Sequence, residues 1–147
     1  MRLIRRSNRL GSNRKVPARR LRSRGVAAAE LAVCLPVVVL LVLATIESCS
    51  AIFLKQSLTV AAYEGVRTAI ERGATATNVQ SICDQILSDR RIKGSKVSVD
   101  PSDIASLSPG DYVNVTITAP CARNSPVPPV FFRGKKLTTT ASMMIEN

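Results

Sequence analysis

The chain has 147 residues, 46% of them hydrophobic, with 21 Lys+Arg against 10 Asp+Glu and neither His nor Trp. The length suits one small domain plus an anchor. The lack of His excludes imidazole-dependent mechanisms, Ser-His-Asp hydrolysis included, and His-ligated metals. With four dispersed Cys, no CxxC and no Gly-rich phosphate loop, the chain is not expected to be an enzyme, and no catalytic residue, metal or cofactor is assigned.

The net charge of +11 is localised. Residues 1–25 hold ten Lys/Arg and no acid, while residues 26–147 hold eleven Lys/Arg and ten Asp/Glu. A basic arm of this kind can bind nucleic acid. Here it runs directly into an apolar segment and carries no aromatic residue to stack on bases. It therefore reads as a cytoplasmic flank that orients a membrane segment by the positive-inside rule, with no nucleic-acid partner.

Residues 31–46, LAVCLPVVVLLVLATI, form sixteen residues without a charge; extended back to Val26 the run is twenty-one residues with one charge, Glu30. At 1.5 Å per residue that is roughly 31 Å, the thickness of a hydrocarbon core. The expected element is a transmembrane helix over 26–46, in contact with membrane lipid. A cleaved secretory signal is the alternative, with Ser48 and Ser50 as small residues before Ala51. Glu47 in that region and the long basic arm weigh against it, and the charge just before Cys49 weighs against a lipoprotein signal. Pro36 lies inside the run, where membrane helices tolerate it better than soluble ones.

Glu30 is the informative residue. A carboxylate one turn inside an apolar span is costly unless it is paired or snorkels to the headgroups. Its context is Arg24-Gly25-Val26-Ala27-Ala28-Ala29-Glu30-Leu31. This string resembles a type IV prepilin processing site, in which a membrane peptidase cuts after the Gly and the Glu becomes the fifth residue of the mature chain. The resemblance places the cut between Gly25 and Val26. Cleavage would leave a cationic amine on Val26 one helical turn from Glu30. In a bundle, Glu30 of one subunit would compensate that amine on a neighbour, which makes Glu30 an assembly residue.

The resemblance extends through residues 24–73. It includes the Leu35-Pro36 pair, Ile46-Glu47 at the end of the apolar run, and Ala61-Ala62-Tyr63-Glu64-Gly65-Val66-Arg67. Together these resemble the TadE-like family, minor pseudopilin-type components of tight-adherence (Flp) pilus systems. That resemblance implies three classes of partner: a prepilin peptidase, other pilin or pseudopilin subunits, and the inner-membrane secretion platform. It also implies a single-pass protein of the bacterial inner membrane, N-terminus in the cytoplasm and head outside. The competing reading is an anchored or signal-cleaved extracytoplasmic binding or structural protein with no pilus role.

The helix is expected to continue through an amphipathic half, residues 47–73, giving a stem from Val26 to Arg72 roughly 70 Å long. Ile52, Thr59, Tyr63, Val66 and Ile70 recur as one stripe. Glu64 with Arg67, and Arg67 with Glu71, are placed to pair. Gly73 is the expected stop. Gly65 permits either close backbone approach or simple tolerance at a cost of about 1 kcal/mol relative to Ala.

Residues 74–147 read as a small extracytoplasmic head. A second helix is expected over 78–90, with Thr77 and Gln80 at capping-box spacing and Val79, Ile82, Cys83, Ile86 and Leu87 on its apolar face. The period then changes to two around Val97 and Val99, Val113 to Ile117, and Leu137 to Ile145. The turn at Ser108-Pro109-Gly110-Asp111 separates the first two strands. Residues 120–134, rich in proline, form a long loop. The expected fold class is α+β: a long N-terminal helix, a second helix and a small antiparallel three-stranded sheet, pilin-like.

Cys83 and Cys121 are the two Cys of the head, and in an oxidising compartment a single bridge between them is the economical expectation, two buried thiols the alternative. Cys34 lies in the span as packing, and Cys49 near its outer end. Asp100 and Asp103 read as turn residues, Asn114-Val115-Thr116 as a chance sequon in a strand, and Arg133-Gly134-Lys135-Lys136 as a solvated turn.

Overall fold

The computed structural model describes the backbone of residues 19–146 and the side chains of residues 25–146. The first eighteen residues of the basic leader lie outside the described residues. The described residues fall into two compact units, one ending at Val39 and one beginning at Leu40.

Helix α1 covers Arg19–Ala69, 51 residues, and continues through Pro36. It starts before Val26 and ends short of Arg72. Gly73, the expected stop, does adopt a left-handed φ of 77°, in the turn that follows the helix. In the first unit every residue from Gly25 to Val39 is exposed. In the second unit exposure continues through Leu43 and is first broken at Ala44. The hydroxyls of Thr45, Ser48 and Ser50 donate to the carbonyls of Leu41, Ala44 and Ile46, each at 2.8 Å. These polar groups are thereby satisfied within the helix.

The second unit is an α+β head. Helix α2, Ala76–Asp89, is followed by strands β1, Lys96–Asp100, β2, Tyr112–Pro120, and β3, Lys136–Met144. The sheet is antiparallel in the order β1-β2-β3. Short 3-10 turns at Ile104–Ser106 and Cys121–Arg123 lie in the connections. Central β2 alternates as its sequence dictates: Val113, Val115, Ile117 and Ala119 are buried, and Asn114, Thr116 and Thr118 face the other way. On that second face Thr116 pairs with Thr140, and Thr118 with Thr138, through hydroxyls 2.9 Å apart. The expected turn is present, with the Asp111 amide donating to Ser108 O at 3.0 Å and Gly110 at φ 99°.

The N-cap of α2 is Thr75, whose hydroxyl accepts the Asn78 amide at 3.2 Å, and not Thr77. The helix begins at Ala76 because an extended Thr75 cap satisfies one of the orphan amides two residues earlier than the Thr77–Gln80 spacing suggests. Val79, Cys83 and Leu87 of its expected apolar face are buried, with Ile82 and Ile86 half-buried.

The packing face of α1 differs from the expected stripe. Leu54, Ser57, Leu58, Ala61, Ala62, Gly65, Val66 and Ala69 are buried, whereas Ile52, Thr59 and Tyr63 are exposed. Only Val66 of the expected stripe is buried. That face joins the bulk of Leu54, Leu58 and Val66 to small residues around Gly65, where Cys83 and Val115 come close to the helix backbone. Buried Ser57 donates to Phe53 O at 2.9 Å.

Candidate functional site

Gly25, Val26 and Glu30 lie on α1 and are all exposed. A Cβ at Gly25 would meet no atom within 4 Å, so its own fold does not require glycine there. Val26 and Glu30 are separated by one helical turn, the spacing that the sequence gives them. Every large apolar side chain around them, from Leu31 to Val42, is open as well. An exposed apolar surface of this extent needs lipid or partner helices to cover it, and α1 from Gly25 is long and apolar enough to cross a membrane.

A second site was not legible as such. Glu47, which ends the apolar run, is 3% exposed. Its Oε2 accepts the amides of Val130 and Phe131 at 3.2 and 3.1 Å, and its Oε1 accepts that of Phe132 at 2.6 Å. Burial by itself raises the Glu47 pKa. The three amides, Phe132 first, and the charge of Lys135 outweigh that and hold the carboxyl below its ordinary value. Three N–H groups on one carboxylate stabilise its charged form. The signal in the sequence was the proline-rich approach to Val130: three consecutive amides follow Pro128-Pro129 outside any strand, and each needs an acceptor.

Cys83 and Cys121 are both buried and both free, so the expected bridge is absent. Cys83 Sγ donates to Ala61 O at 3.4 Å and lies under Gly65. Cys121 borders a small pocket with Glu47, Ala51 and Leu54, farther back along α1. The two thiols thus pack at different levels of the helix. Burial, helped by Asp84, pushes the Cys83 thiol up to about 11. Burial also raises Cys121, against its backbone amide and Lys135. Cys34 and Cys49 are exposed. Glu64 and Arg67 pair at 3.9 Å on the open side of α1, the only ion pair among the described residues; Glu71 lies past the helix end.

These features define a class of protein: an exposed apolar helix that carries one carboxylate near its start and leads into a small α+β head. A family model described as TadE, TadE-like protein, matches residues 25–67, so this part of the chain is similar to that family. The match spans Gly25, Glu30, the Ile46-Glu47 pair and the Ala61–Arg67 motif that carried the resemblance. Among the described residues one helix is long and apolar enough to cross a membrane, which fits a single-pass anchor. No curated protein and no solved structure matches the chain.

Proposed function

We propose that this protein is a minor pilin or pseudopilin-like component in assembly of a tight-adherence pilus, without catalytic activity of its own and processed by a prepilin peptidase between Gly25 and Val26. The observation that carries the reading is the placement of Glu30 on an open apolar helix, one turn beyond Val26. A mature Val26 amine and a Glu30 carboxylate on neighbouring helices compensate each other, whereas either alone is disfavoured in lipid. The basic leader orients the chain with its start in the cytoplasm and the head outside the inner membrane. The partners are the peptidase, other pilin or pseudopilin subunits and the inner-membrane secretion platform. Exposed Ile52, Val60 and Tyr63 extend the apolar surface along the head-bearing half of α1 for such subunits.

The test is the intact mass and N-terminal sequence of the membrane-extracted protein. Val26 is the expected N-terminus, and Gly25→Leu is expected to retain the basic leader, since a large side chain obstructs a glycine-selective cleft. An N-terminus at Ala51 would overturn the reading in favour of a secretory signal.

A further inference from the structure

Val130 and Phe131 are 70% and 58% exposed, yet the backbone beneath them is fixed. Their amides, with that of Phe132, converge on Glu47. Glu47 immediately follows the apolar run, and it borders a small pocket with Ser50, Ala51 and Leu54 of the helix and with Pro129 and Phe132 of the loop. Ala44 is the first residue of that run to lose exposure. The loop 128–132 is thus held beside the end of the apolar helix, with two bare apolar side chains on its surface. Cationic, exposed Arg133 and Lys135 follow at once, Lys135 Nζ lying 5.3 Å from the centre of the Phe132 ring.

We propose that this loop is a second membrane contact: Val130 and Phe131 enter the acyl boundary of the leaflet that surrounds the end of the anchor, and Arg133 and Lys135 meet lipid phosphates. The proposal rests on residues 26–46 being a membrane anchor. Lipid is favoured over a protein partner by continuity. A helix that leaves a bilayer at Ile46 is ringed by headgroups at that level, and a loop fixed to Glu47 lies among them. The order apolar tip, then cations, matches the order acyl boundary, then phosphate. Glu47 acts here as a positioning residue: a charged carboxylate at the rim satisfies three amides that would otherwise be carried unpaired toward lipid.

The absence of Trp supplies the test. Single-Trp variants of the full chain, Phe131→Trp, Leu41→Trp and Tyr112→Trp, are reconstituted in vesicles of phosphatidylethanolamine and phosphatidylglycerol with and without brominated acyl chains. All three positions are exposed, so each accepts the larger ring without repacking. Leu41 reports the anchor, and Tyr112 the head away from the loop. The expected result is loss of emission by brominated lipid at Phe131→Trp, approaching that at Leu41→Trp, with Tyr112→Trp unaffected. Emission at Phe131→Trp that matches Tyr112→Trp, while Leu41→Trp is quenched, would overturn the loop contact and leave the anchor standing. Blue-shifted but unquenched emission at Phe131→Trp would also overturn it, assigning the tip to a contact with a second copy of the chain. An unquenched Leu41→Trp would remove the anchor, and the loop contact with it.

Discussion

Gly65 lies directly beneath Cys83: a Cβ built on the glycine would fall on Cys83 Sγ, well inside contact distance, with Val115 Cγ1 only 3.3 Å away. Helix α1, helix α2 and the central strand meet at this point. Glycine in a helix costs about 1 kcal/mol relative to Ala, and here the close approach of three elements offsets that cost.

Gly65→Ala is accordingly expected to destabilise the head. Overpacking a close-packed core costs about 1–3 kcal/mol, against the gain in helix propensity. Cys83→Ala opens the space that the new methyl needs, so the two substitutions together are expected to be less harmful than their sum. Denaturant unfolding of the parent and the three variants measures this; a Gly65→Ala head more stable than the parent would show that the approach is not tight.

The second expectation concerns acid. The amides of Val130, Phe131 and Phe132 hold the Glu47 pKa below its ordinary 4.5 in the folded head. A lowered folded-state pKa contributes stability that is complete above the unfolded value and is lost as pH falls through the folded one. The melting temperature of the parent is therefore expected to drop more steeply below about pH 4.5 than that of Glu47→Gln, which starts lower and carries no such titration. Parallel pH profiles for the two proteins would mean that the carboxylate does not hold the loop.

The third expectation separates assembly from anchoring at Glu30. An amide keeps the side-chain shape and lightens its desolvation, so Glu30→Gln is expected to insert normally. If Glu30 compensates a neighbour's Val26 amine, its loss leaves a cation unpaired, at about 3–5 kcal/mol when fully buried. Membrane fractionation with cross-linking to other pilin components is expected to show insertion without association. Normal cross-links and normal surface pili would return Glu30 to a snorkelling residue.

The fourth expectation concerns the thiols. Cys49 is open just past the C-terminal end of the apolar run, whereas Cys83 and Cys121 are buried. A water-soluble maleimide is expected to label Cys49 in the native protein. It should reach Cys83 and Cys121 only after denaturation, with no reductant needed. The raised Cys83 pKa of about 11 adds to this, since the thiolate is the reactive form. A requirement for reductant at both positions would establish a bridge that this packing does not contain.

Composition and spacing alone determined the broad plan. A charge-free run of this length requires a helix whose exposed surface is apolar, and period-two alternation at Val113, Val115 and Ile117 requires a strand with one buried face. The strands and α2 were legible because each pattern is local and the turn residues between them, such as Gly110, have few conformational options. Gly25 and Glu30 were legible because their context is a contiguous string. What only the tertiary structure decided depends on residues distant in sequence. The buried face of α1 combines Leu54, Leu58 and Val66 with Ala61, Ala62 and Gly65, and it is fixed by where Cys83 and Val115 meet Gly65 and not by the stripe through Ile52 and Tyr63. A bridge between Cys83 and Cys121 is the economical expectation for the two thiols of the head, but they reach the core at different levels of one helix and remain free. The role of Glu47 was hidden for the same reason. A carboxylate at the end of an apolar run reads as solvated until the fold brings three amides, more than eighty residues away in sequence, within hydrogen-bond reach.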